Sequence, residues 1–237
     1  MNANDPNIAL LEIVAEHLGD ILCKEMVFVG GAVVGLLITD AAMPSIRSTE
    51  DVDLIVEAVT LRDYHRIEQT LRVQGFEQDM RPASPICRWR VGLVAVDVMP
   101  TLETILGFSN RWYPPLALAT AFPIALPSGC QIRLIAAPVF LATKLEAFDG
   151  RGNADFLFSH DLGDLLAVID GRDSLTEECR NIPPELKAYL AERFQTLLAT
   201  ASFVEALAGY LPGDAASQER LPELEVKLQL LAALSES

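Results

Sequence analysis

Asp51-Val52-Asp53-Leu54-Ile55-Val56 alternates polar and apolar at its start and then turns wholly apolar, the pattern of a strand with one end at the solvent. Side chains alternate faces along a strand, so Asp51 and Asp53 emerge together while Val52 and Leu54 point the other way. A rise of about 3.3 Å per residue sets the two carboxylates roughly 6–7 Å apart, where they repel unless a cation sits between them. Mg²⁺ prefers oxygen ligands and keeps waters, so this pair suits the start of one or two metal sites. A solvated strand end is the plain alternative.

Upstream, the apolar run Met26-Val27-Phe28-Val29 leads straight into Gly30-Gly31, and Ala32 to Ile38 reads as helix. Strand, Gly-Gly, helix leaves backbone N–H groups free at a helix start, where phosphate oxygens are natural guests. The glycines remove the Cβ atoms that block close approach; an ordinary turn needs no more than this. Downstream, Asp97 is a lone carboxylate within Leu93 to Met99, an otherwise apolar strand. Burying it unpaired is costly, so it needs either an arginine, Arg88 or Arg90 on the preceding strand, or a place beside Asp51 and Asp53 as a third acid. Three carboxylates facing a phosphate-cradling turn form a much more specific pattern than any one of them.

The rest of the chain frames this constellation. An Asp5-Pro6 helix start precedes apolar residues at helical spacing from Ile8 to Leu22. Leu61 to Val73 reads as helix, strands are expected around Phe76 and over Ile86 to Val91, and Pro127-Ser128-Gly129 marks a hairpin tip between Phe122–Leu126 and Gln131–Ile135. Beyond Pro138 the spacing is helical almost throughout, over Val139–Phe148, Asp161–Ile169, Glu185–Tyr210 and Leu221–Leu234. The fold class is therefore α/β (α+β): a core with a mixed sheet over residues 1–136, then a helical subdomain over 137–237.

The 237 residues carry 18 Lys+Arg against 33 Asp+Glu, a net charge of −15. Residues 1–150 hold 11 basic and 18 acidic side chains and residues 151–237 hold 7 and 15, so neither part is a basic module. That balance argues against non-specific nucleic-acid binding, which draws on phosphate neutralisation by Lys and Arg, and against anionic membrane surfaces. No apolar run is long enough for a membrane span, and the acid-interrupted N-terminus is not a signal peptide. Cys23, Cys87, Cys130 and Cys179 form no CxxC pair and read as reduced thiols of a cytoplasmic protein.

Val29-Gly30-Gly31-Ala32, Arg47-Ser48-Thr49-Glu50-Asp51-Val52-Asp53-Leu54 and Val96-Asp97-Val98 together resemble the DNA polymerase β-like nucleotidyltransferase superfamily. Within it the chain is similar to the AbiEii-type toxins of type IV toxin–antitoxin systems, because Lys144, Arg151 and Asp161-Leu162-Gly163-Asp164-Leu165 resemble that group's lysine and D-x-x-D-L helices. The resemblance covers roughly residues 25–170. It implies a polymerase β-like core and transfer of a nucleoside monophosphate from an NTP to an acceptor hydroxyl. Gly30 and Gly31 would hold the triphosphate. Asp51, Asp53 and Asp97 would bind Mg²⁺, or Mn²⁺, in a two-metal site. It further implies a cognate antitoxin as partner.

Other residues keep two readings. Lys144 either packs its stem on apolar surface and snorkels to water or sets its ammonium on a nucleotide phosphate. Asp161 and Asp164 share one face near a helix start capped by Ser159, as structural acids or as groups that position Lys144 or assist in the acceptor site. Arg47 contacts phosphate or pairs with Glu50. His17, His65 and His160 form no metal-ligand spacing, and Trp89, Trp112 and Tyr113 read as core or cleft wall. The acceptor is an RNA end, a protein hydroxyl or a small molecule, and the acidic charge pulls toward the latter two. The rival functions are a non-catalytic nucleotide- or partner-binding module and a metal-dependent phosphohydrolase.

Overall fold

Among the described residues seven strands, β1 Met26–Val29, β2 Asp51–Val56, β3 Glu77–Gln78, β4 Arg88–Val91, β5 Val94–Pro100, β6 Phe122–Ala125 and β7 Gln131–Leu134, form one mixed sheet in the order β3-β4-β5-β2-β1-β7-β6. The computed structural model describes residues 5–82, 84–107, 109–152 and 154–236. β2 runs parallel to β5 and antiparallel to β1, and β1 runs parallel to β7. Position in the sheet explains composition: β1 lies between two strands and every residue of it is buried, which matches its uninterrupted apolar run. In β2 only Asp51 and Asp53 reach the surface, while Val52, Leu54, Ile55 and Val56 are buried. The chain is therefore mixed α/β with a helical C-terminal region.

Two compact units are present, one of residues 5–33 and 47–136, the other of residues 34–46 with the chain from 137 onward. The sequence reading placed 34–46 in the first domain; it packs instead with the helices. In the sheet unit, helix Ile8–Glu25 buries Leu11, Val14, Leu18 and Leu22 and packs on the sheet, most extensively on β7. It bends at Gly19, whose φ of 66° and ψ of 174° are non-helical. The expected Asp5-Pro6 start is displaced: the helix begins at Ile8, and Asp5 Oδ1 accepts the Asn7 N–H at 2.8 Å. Asn7 cannot cap with its side chain because that amide is engaged elsewhere. It donates to the Arg47 carbonyl at 3.1 Å and accepts the Thr49 N–H at 2.9 Å.

Helix Leu61–Val73 starts on a capping box in which Thr60 and Asp63 exchange side chain-to-backbone bonds. The Tyr64 hydroxyl donates to the Val98 carbonyl at 3.0 Å and ties that helix to β5.

In the helical unit, helix Ala137–Arg151 is buried at ten positions, including Phe140, Leu141 and Leu145. It packs against helices His160–Gly171 and Pro184–Leu198. The long helix expected over Glu185–Tyr210 is broken: helix Pro184–Leu198 ends, Thr200 is extended, and Ala201–Ala206 starts anew. The Thr196 and Thr200 hydroxyls each bond the carbonyl four residues back, at 2.9 and 2.8 Å, a bond that weakens helical continuation. The break turns Phe203 into the core, where it is wholly buried. Among the described residues no helix is long and apolar enough to cross a membrane.

Candidate active site

Strand register, not chain proximity, assembles the carboxylates. Asp53 of β2 stands directly opposite Asp97 of β5, Asp97 stands opposite Arg88 of β4, and Val29 of β1 stands opposite Asp53. Arg88, Asp97, Asp53 and Val29 thus form one row across four strands spaced about 4.8 Å apart. Asp51, two residues before Asp53, shares its face. Like charges directly opposite one another destabilise a sheet, so this face demands a cation.

Arg88 supplies one. Its Nε donates to Asp97 Oδ1 at 2.8 Å, and its Nη2 donates to both Asp97 Oδ2 at 2.7 Å and Asp51 Oδ2 at 2.8 Å. Asp97, only 8% exposed, keeps the Arg88 guanidinium more firmly protonated than usual, against the opposing pull of burial. Of the two arginines considered from the sequence, the register selects Arg88. Arg90 lies opposite Ala95 and donates to the Leu93 carbonyl. Two of the three acids on this face, Asp97 and Asp51, are thus hydrogen-bonded to one guanidinium. Burial, then the Asp97 charge, pushes the neighbouring Cys87 thiol up to about 12.

The glycine turn adjoins this row. Gly30 has a φ of +73° and follows Val29 directly, and the Asp53 carboxylate fills the space where a Gly30 Cβ would lie. Gly31 opens a short 3₁₀ turn, Gly31–Val33, which continues as Val34–Leu37. The sequence reading expected one helix over Ala32–Ile38. Arg47 Nη1 donates to the Ser48 carbonyl at 3.2 Å. Two contributors escaped the sequence reading. Thr49 Oγ1 donates to Asp51 Oδ1 at 2.9 Å, a partner two residues away that the sequence could have suggested. Asn7, fully buried, clamps the Arg47–Thr49 segment leading into β2, and no local pattern marks a contact across 40 residues.

The donor set is all oxygen and suits Mg²⁺ or Mn²⁺. As the side chains are posed, no three His, Cys, Asp or Glu groups among the described residues converge closely enough to hold a metal ion; Asp51 and Asp97 are turned onto Arg88. The residue types fit the ion.

The second group of residues lies in the helical unit. Lys144 Nζ donates to Asp161 Oδ1 at 3.1 Å and Asp164 Oδ2 at 2.7 Å, with all three side chains less than a tenth exposed. This corrects the snorkelling reading: the ammonium is buried between two acids. Arg151 Nε and Nη2 each donate to Asp161 at 2.9 Å. Burial acts to raise the Asp161 carboxyl, but the Arg151 and Lys144 bonds outweigh it and hold the group below the ordinary carboxylate range. Ser159 caps the helix, its Oγ accepting the Leu162 N–H at 3.3 Å. His17, His65 and His160 are exposed, and Trp89 and Trp112 are core.

No protein-family model matches the sequence, and no curated protein matches it significantly. Solved structures similar to it include the following three. Antibiotic-resistance factor ANT(2'')-Ia is 13% identical over 81% of this chain and 95% of its own, with a TM-score of 0.47. JHP933 from Helicobacter pylori is 16% identical over 96% and 91%, with a TM-score of 0.48. A candidate nucleotidyltransferase from H. pylori is 16% identical over 97% and 95%, also with a TM-score of 0.48. Likenesses at this level assign neither a family nor an activity to the chain.

Proposed function

We propose that this chain is a Mg²⁺-dependent nucleotidyltransferase of the polymerase β-like type, moving a nucleoside monophosphate from an NTP to an acceptor hydroxyl. The observation that carries the reading is the placement of Asp53 on the Gly30 turn and directly opposite Asp97. A triphosphate held at the Gly30-Gly31 turn would lie beside the Asp53 carboxylate. Two anions at that separation require a cation between them, and Asp51 and Asp97 share the face on which it would sit.

Bound among Asp51, Asp53 and Asp97, Mg²⁺ supplies charge neutralisation and Lewis-acid polarisation of the α-phosphoryl group. The chain's own groups do the positioning. The missing Gly30 Cβ makes room for the Asp53 carboxylate, the turn would offer its backbone N–H groups to the triphosphate, and Asp97 would complete the acid set. The acceptor hydroxyl gives up its proton to water, its oxygen forms a bond to the α-phosphorus, and the bond to the β-phosphate oxygen breaks as pyrophosphate leaves. Such chemistry needs alignment and charge stabilisation more than covalent participation by the protein. Arg47, close before Asp51 in sequence, is assigned to phosphate contact.

A non-catalytic nucleotide-binding module is the second reading, and Arg88 is the observation that favours it, because it already neutralises part of the acid set. One experiment separates them: each α-³²P-labelled NTP with Mg²⁺ and total cell extract, beside an Asp51→Ala/Asp53→Ala control. Label that moves to RNA, protein or a small product and is lost in the control establishes transfer and names the acceptor class. Label on RNA or protein is also the activity expected of a type IV toxin with a cognate antitoxin. Pyrophosphate release without labelled product points to a phosphohydrolase. NTP binding with no label transferred leaves the binding module.

A further inference from the structure

We infer that Arg88 is a resident cation that competes with the divalent ion for Asp51 and Asp97, and thereby sets the metal affinity of the site. The inference rests on the nucleotidyltransferase reading above. The guanidinium spends three hydrogen bonds on two of the three acids assigned to the metal, at 2.7–2.8 Å. Each of these is a charge-assisted bond, stronger than a neutral one. The contact is built into the fold, because Arg88 and Asp97 are directly paired across β4 and β5. Beyond the paired residues, the Val98 N–H continues the pairing with a 2.9 Å bond to the Cys87 carbonyl.

An arginine stays charged under all working conditions. Asp51 and Asp97 therefore have a permanent counter-ion that a metal must displace, and the ion gains their oxygens only by losing the arginine's bonds to them. Arg88 keeps 23% of its side chain exposed, against 12% for Asp97, and only the two-residue strand β3 lies beyond β4 in the sheet. The guanidinium therefore has a short route to water when an ion takes its place. Arg81, by contrast, spends its charge on Asp79, which has no part in the acid row.

The test is a Mn²⁺ titration of the full chain without nucleotide, read by the electron paramagnetic resonance signal of free Mn²⁺. Wild type, Arg88→Met, Arg88→Lys and Asp97→Asn are compared. Arg88→Met should bind Mn²⁺ at least tenfold more tightly than wild type, and Mn²⁺ should raise its melting temperature at concentrations that leave wild type unchanged. Arg88→Lys, which keeps the charge but loses the fork, should fall between them and decides the matter if Arg88→Met fails to fold. Equal or weaker binding by both Arg88 variants, with Asp97→Asn still reducing wild-type binding, overturns the competition and leaves the metal reading standing. Absence of Mn²⁺ binding in every protein overturns both.

Discussion

The Asp53 carboxylate lies against the Cα of Gly30 so closely that a methyl group built there would stand 1.9 Å from Asp53 Oδ2 and 2.7 Å from Asp53 Cβ. The glycine turn and the acid row are therefore one unit, and neither can change without the other.

Gly30→Ala tests that unit. A left-handed φ of +73° costs an alanine about 1–2 kcal/mol, and the clash with Asp53 Cβ forces the strand residue itself to move. The variant should lose about 2 kcal/mol in urea unfolding and at least ~100-fold in nucleotide transfer, the scale of losing a positioned charge contact. Gly92→Ala is the control. Its φ is also positive, at +57°, but nothing lies within 4 Å of its added methyl. It should lose stability alone. Full transfer activity in Gly30→Ala would remove the link between the turn and Asp53.

Much of this site was legible in the sequence because its signals are local. The period-two start of β2 puts Asp51 and Asp53 on one face, and an acid in the apolar run of β5 must have a partner. What joins them is register, a non-local property: Asp53 meets Asp97 only because β2 and β5 are parallel neighbours. Parity could not choose between Arg88 and Arg90, which share a face, and the β4–β5 pairing decides for Arg88. Asn7 and the break at Thr200 were illegible for the same reason. One acts across 40 residues, and the other follows from Phe203 having a core to enter.

Lys144→Met tests the buried acids of the helical unit. Removing the ammonium leaves Asp161 and Asp164 with side chains only 7% and 6% exposed, and breaking a buried pair by one partner costs about 3–5 kcal/mol. Urea unfolding should show a loss of roughly 3 kcal/mol, softened by the remaining Arg151 bonds. The triple variant Lys144→Met/Asp161→Asn/Asp164→Asn should recover much of it, since the uncompensated charges are gone. A lysine whose only task is a phosphate contact would leave the unfolding midpoint where it was.

Arg220→Ala should loosen residues 34–46. Arg220 Nε donates to Asp170 at 2.8 Å and Nη2 donates to Asp40 at 2.7 Å. The Thr39 and Asp40 N–H groups both donate to the Gly171 carbonyl at 2.9 Å. Asp170 is 1% exposed, so the arginine is its means of tolerating burial. Loss of about 2 kcal/mol is expected, less than for a fully buried pair because Arg220 and Asp40 are partly solvated. Hydrogen exchange should accelerate at Thr39 and Asp40 and stay unchanged in β1 and β2. Unchanged exchange at Thr39 and Asp40 would show that the Gly171 carbonyl alone holds the segment.

Asp161 also predicts an acid dependence whose sign is fixed by the direction of its shift. Burial raises its carboxyl, but the Arg151 and Lys144 bonds lower it by more, so the folded value lies below the unfolded one. A group depressed in the folded state binds its proton more readily when unfolded. Its stabilisation is therefore complete above the unfolded value of about 4 and is lost as pH falls through the folded value. Arg151→Ala removes the largest of the lowering contacts, so its stability should fall less steeply below pH ~4 than that of wild type. Urea midpoints at pH 6, 4 and 3 measure this. Other depressed acids, such as Asp79 beside Arg81, act equally in both proteins and cancel in the difference. Curves that stay parallel across the three pH values would mean that Arg151 does not hold the Asp161 charge in solution.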